Sequence, residues 1–148
     1  YHLGIALKNQ GRIDEAIREY RKTVKYKPDH ADAYNNLGVA LEAKGQIDGA
    51  IMAYSTAVAN RPSHWDAQCN LADALHLRGD LAKAAEVYRF ILKFDPTNAQ
   101  IAASLGNVLH ARGETKGALE AYKEAKARHP RMAELRRLKQ WMTVAEGM

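Results

Sequence analysis

An all-α solenoid of antiparallel helix pairs is the fold class this sequence predicts, and three observations predict it. The four prolines, Pro28, Pro62, Pro96 and Pro130, stand 34 residues apart. A period of about 34 residues is that of stacked helix–turn–helix units. Other columns keep the same step: Ala16, Ala50, Ala84 and Ala118, then Tyr20, Tyr54, Tyr88 and Tyr122. The third observation is a glycine column, Gly11, Gly45, Gly79 and Gly113, following a leucine column, Leu3, Leu37, Leu71 and Leu105.

Each element follows from these columns. In the first helix of each unit, the leucine column and then Leu7, Leu41, Leu75 and Leu109 form one apolar stripe at helical spacing. Gly4, Gly38, Ala72 and Gly106 interrupt that stripe with small residues that let the second helix approach. The glycine column accepts the left-handed backbone that ends the first helix. The tyrosine column supplies a large buried wedge on the second helix. Each proline closes the second helix because it has no amide to donate. The spacing predicts helix pairs at roughly 1–10 with 14–27, 31–44 with 48–61, 65–78 with 82–94, and 99–112 with 116–128.

The ends are read separately. Tyr1 falls inside the first helix of its unit, so the sequence is expected to be a piece of a longer array or to have further residues upstream. That leaves apolar surface around Leu3, Ile5, Leu7 and Ile13 incompletely covered, and predicts end-to-end or swapped association into a homo-oligomer at high concentration. Beyond Pro130 the strict register would bury Arg136, Lys139, Gln140 and Thr143; a shift of one residue buries Leu135, Leu138 and Met142 instead. Residues 131–144 are therefore expected to form a capping helix with a polar outer face. The organisation expected is a single domain, 1–148, with repeats at 1–30, 31–64, 65–98 and 99–130 before the cap.

Composition sets bounds on function. No stretch approaches the ~18 consecutive apolar residues of a membrane span. The single Cys69 excludes an internal disulfide and fits a reducing, cytoplasmic compartment. The net charge of +5 is local. Between residues 123 and 139, seven cations (Lys123, Lys126, Arg128, Arg131, Arg136, Arg137 and Lys139) face two carboxylates, Glu124 and Glu134, and account for the whole excess. Such an end could bind nucleic acid or an acidic partner. No aromatic platform accompanies the charges, so a solvated cap with cations near helix C-termini is the preferred reading, and nucleic acid is not the expected partner.

The columns Tyr34, Leu37, Gly38, Leu41, Ala50, Tyr54, Ala57 and Pro62 resemble the tetratricopeptide repeat family, from Tyr1 to about Pro130. The third repeat departs with Gln68 at the first aromatic, Ala72 for glycine and Ile91 for alanine, and the fourth with Ala102 at the first aromatic. The resemblance implies a right-handed superhelix whose first helices line a concave groove. Carried over position by position, that groove holds His2, Ile5, Lys8 and Asn9 in the first repeat. The second gives Asp32, Asn35, Asn36, Val39 and Glu42, and the third Asp66, Cys69, Asn70, Asp73, His76 and Leu77. The fourth gives Gln100, Ala103, Ser104, Asn107 and His110. Four carboxylates against one lysine make it mildly acidic.

Asn36 and Asn70 share one groove position and resemble the asparagine ladder of superhelical members of the family. An amide both donates and accepts, so a row of them can pair with an extended peptide backbone. His2 and Ser104 interrupt the row, with Asn107 and Asp73 one turn along; the opposing reading is a solvated polar helix face. His76 and His110 recur in one column but lack a third ligand at metal spacing, so neither metal nor cofactor is expected. Cys69 lacks a cationic neighbour that would activate it. No phosphate loop, HExxH or GxSxG appears, so catalysis is not expected in this chain. The function expected is a scaffold that binds a neutral or basic peptide, or a partner helix, in the groove. The alternative is the substrate-recruiting segment of a larger enzyme such as a glycosyltransferase; a second alternative is binding of nucleic acid or an acidic partner through the basic end.

Overall fold

The computed structural model describes residues 1–128, all of whose regular structure is helical. The helices fall into two compact units. The first unit, Tyr1–Arg78, contains α1 (His2–Asn9), α2 (Ile13–Tyr26), α3 (Ala31–Ala43), α4 (Ile47–Asn60) and α5 (Trp65–Arg78). The second begins at Gly79 and contains α6 (Leu81–Phe94), α7 (Ala99–Ala111) and α8 (Thr115–Arg128). Within each unit every helix packs on the next, and α3 also touches α5. The helix boundaries follow the sequence periods to within two residues. The expected cap at 131–144 lies outside the described residues, as do Pro130 and the basic residues that follow it.

The column residues form the core. Tyr20, Tyr54, Tyr88 and Tyr122 are each no more than 1% exposed. Where the partner lies in the same unit, the ring of the column tyrosine rests against the small residue of its own repeat. A Cβ on Gly4 would stand 2.7 Å from Tyr20 Cε1, and one on Gly38 or Gly106 would stand 2.4 Å from the ring of Tyr54 or Tyr122. In the first, second and fourth repeats the wedge is therefore made within the helical hairpin. The turns match expectation as well: Gly45 has φ of 75° and its three column partners lie between 77° and 94°, a region that favours glycine.

An unexpected column caps the first helices. His30 and His64 accept, through Nδ1, the amides of Ala33 and Ala67 at 3.2 and 3.3 Å, and Asn98 accepts that of Ile101 at 3.1 Å. These three residues are 34 apart and satisfy one otherwise orphaned N–H at each helix start. His64→Ala is expected to destabilise the fold by about 0.5–2 kcal/mol, while His64→Asn, the residue the fourth repeat uses, should recover most of it. Urea denaturation of the three proteins checks this; equal loss in both variants would assign the effect to packing.

Gln68 explains one departure from the family pattern. It is 6% exposed and donates its side-chain amide to the Pro62 carbonyl at 2.9 Å. A polar side chain thus replaces the aromatic without leaving a buried donor unpaired. Leu7 is also buried, and Ile5 and Ile13 are half-buried. Of the apolar residues expected to be uncovered near the first repeat, Leu3 alone is exposed.

Candidate functional site

In the first unit the candidate residues line α1, α3 and α5, the first helices of their repeats; those of the fourth repeat lie on α7 in the second unit. Hydrogen bonds link one repeat to the next along this face. Asn36 Nδ2 donates to the Tyr1 hydroxyl at 3.0 Å, and Asn70 Nδ2 donates to Asn35 Oδ1 at 3.0 Å. Tyr1 and Asn35 are themselves one repeat apart, so the two bonds are the same contact repeated. Each asparagine is fixed by the residue one column over in the preceding repeat. Asn36 and Asn70 are half-buried, and Asn35 is buried.

The carboxylates are not equivalent. Asp32 is ion-paired with Arg61, and His64 Nε2 lies 2.9 Å from Asp32 Oδ1 without the alignment of a hydrogen bond. Partial burial raises the Asp32 carboxyl pKa, but Arg61 and His64 together outweigh that and hold it below its ordinary value. The mild acidity expected from four carboxylates is thus reduced: the charge of Asp32 is compensated by an arginine just before Pro62. Glu42 is half-buried and accepts the Tyr54 hydroxyl at 2.8 Å. Burial first, then that bond to a carboxylate, raises the Tyr54 phenol.

Asp66 and Asp73 are exposed on either side of Cys69, with Asn70 between them in sequence. Burial, then Asp73 and Asp66, raise the Cys69 thiol, so it is a poor nucleophile. His76 is half-buried and Leu77 is 66% exposed. On α1 and α3, Lys8 and Val39 are half-buried. On α7, Gln100, Asn107 and His110 are exposed, Ser104 is half-buried and Ala103 is buried. Tyr122 donates to Asn107 Oδ1 at 2.7 Å, and burial pushes its phenol up to about 12. In the first repeat the positions of Asn107 and Glu42 are taken by Ile5 and Lys8, neither an acceptor, and the buried Tyr20 hydroxyl has no partner. Among the described residues, no group of three or more His, Cys, Asp or Glu side chains is placed to hold a metal ion.

Sequence reasoning missed Arg61, His64 and the cap column. The signal for the caps was present, since His30, His64 and Asn98 keep the 34-residue step. Arg61 carried no such signal, because Lys27 and Asp95 occupy its column. Among the described residues, no helix is long and apolar enough to cross a membrane.

The tetratricopeptide repeat profile matches residues 1–60 and 43–99, and a second profile of the same description matches 75–142. No curated protein matches the chain. Among solved structures, MamA from Desulfovibrio magneticus RS-1 is 18% identical, with a TM-score of 0.89 over 99% of this chain and 82% of that one. A tetratricopeptide repeat protein from Parabacteroides merdae is 15% identical, with a TM-score of 0.90 over 99% of this chain and 58% of that one. YrrB, a tetratricopeptide protein with an unusual peptide-binding site, is 16% identical, with a TM-score of 0.78 over 87% and 66%. These likenesses establish the all-α solenoid fold. With the profiles spanning nearly the whole sequence, the chain belongs to the tetratricopeptide repeat family.

Proposed function

We propose that this chain is a protein-interaction scaffold that holds an extended peptide, or one face of a partner helix, along its first helices. The observation that carries the reading is the repeated bond from Asn36 to Tyr1 and from Asn70 to Asn35. It orients two amides identically at a one-repeat interval, and a preorganised row of amides binds a backbone with less entropy loss than a mobile one. The exposed Asp66 favours a basic residue of the segment at the start of α5, while the pairing of Asp32 with Arg61 makes the neighbouring stretch of α3 neutral. The peptide-binding site of YrrB, a protein of the same fold, is consistent with this reading.

Selection from a displayed random-peptide library, followed by calorimetry on the enriched peptides, tests it. Replacing Asn36 and Asn70 together with Ala removes two neutral hydrogen bonds of about 0.5–1.5 kcal/mol each, so affinity should fall by roughly one to two decades. Because Asn70 also satisfies the buried Asn35, the variant should melt earlier, and binding is compared well below its midpoint. Arg136→Ala with Arg137→Ala should change affinity little. The reverse pattern, with the arginine pair essential and the asparagine pair silent, would move the site to the basic end.

A further inference from the structure

Two of the three helix-start caps are bases, and the third is not. His30 and His64 accept the Ala33 and Ala67 amides through Nδ1, whereas Asn98 Oδ1 accepts that of Ile101. A ring nitrogen accepts a hydrogen bond only when it carries no proton, so each histidine caps as the neutral ring with its proton on Nε2. Protonation turns Nδ1 into a donor aimed at the backbone N–H it had accepted. The cap is then lost, and that N–H is orphaned again. An asparagine side chain has no proton to gain in the same range, so the fourth repeat's cap is indifferent to pH.

What faces the two rings differs. His64 is 8% exposed, and its Nε2 lies 2.9 Å from an oxygen of Asp32, a carboxylate also paired with Arg61. A charged His64 therefore loses its cap but gains an ion pair. His30 is half-buried, and among the described residues no carboxylate is ion-paired with it. The Tyr1 ring stands 4.7 Å from it, and Lys27 and Asp29 are exposed on its own turn. The Tyr1 ring favours a cation weakly, which offsets part of the loss without restoring the acceptor. We propose that His30 is a proton-operated latch: ionisation of its ring uncaps α3 and loosens the first turn, which carries Asp32, while Asp32 buffers the equivalent cap on α5. Because the capped form needs the neutral ring, its contribution to stability is present above the ordinary imidazole range near pH ~6.5 and lost below it. The latch does not depend on what the helix face binds.

The full chain, labelled with nitrogen-15, is titrated from about pH 8 to about pH 5, the span that brackets imidazole ionisation. The amides of Ala33, Ala67 and Ile101 are followed together with the histidine ring protons. The Ala33 amide should shift in step with the His30 ring, and the Ile101 amide should follow no histidine. Urea denaturation at the two pH limits is the second measurement. Between them the folding equilibrium constant of the parent should fall about two- to fivefold further than that of His30→Asn, which stays capped at both; a cap is typically worth about fivefold, and Tyr1 returns part of it. His64→Asn should narrow the fall less than His30→Asn does. An Ala33 amide that holds still while the His30 ring titrates overturns the latch, as does an equal fall in the parent and His30→Asn. A fall narrowed more by His64→Asn than by His30→Asn overturns the part given to Asp32.

Discussion

Replacing Tyr54 with alanine should destabilise the fold by about 3–5 kcal/mol, the range for a large buried aromatic. The ring is fully buried and packs against Gly38, so truncation leaves a void beside a backbone that has no side chain to fill it. The hydroxyl adds a bond to Glu42, which Tyr54→Phe isolates at about 0.5–1.5 kcal/mol. Because Glu42 is only half-buried, water can replace that bond, and the phenylalanine variant should fall at the lower end. The damage should spread beyond its own hairpin, since α4 packs on both α3 and α5 and a repeat array is stabilised by neighbour contacts. Hydrogen exchange should therefore show protection lost in α5 together with α3 and α4. A melting curve unchanged by the substitution would contradict the assigned register.

Tyr54 also illustrates why so much of the fold was legible in the sequence. A column residue meets the same environment in every repeat, so one physical demand is written four times: a ring to fill the hairpin, a glycine where φ is positive, a small residue under the ring. Pairs formed between different columns have no such redundancy. Arg61 reaches Asp32 in one repeat only, and nothing in the spacing marks it. The residue types of this helix face were therefore readable, but its charge balance was not. Departures from the columns proved equally informative once their surroundings were known. Gln68 replaces an aromatic with a hydrogen-bonded side chain, whereas Ala102 replaces one with a small residue that is itself fully buried.

Gly38→Ala sets two effects of opposite sign against each other. In a helix interior alanine is favoured over glycine by about 0.5–1 kcal/mol, so propensity alone predicts a more stable protein. The added methyl, however, would stand 2.4 Å from Tyr54 Cε1 and 2.6 Å from Cδ1, well inside contact distance. The ring it meets is fully buried and held by Glu42, so it cannot swing aside as the end of a flexible chain would. Overpacking of this kind costs about 1–3 kcal/mol, and the clash should win. The third repeat carries Ala72 in the same column, so a methyl is compatible with the repeat in general; the expected loss belongs to the particular approach of α3 and α4. A double-mutant cycle with Tyr54→Ala separates the terms, because residues in contact couple by about 0.5–3 kcal/mol. With the ring gone, Gly38→Ala should become neutral or stabilising as propensity reasserts itself. Urea denaturation of the four proteins provides the measurement. A Gly38→Ala protein at least as stable as the parent would mean that the hairpin opens to admit the methyl, and that the glycine is not what sets the close approach.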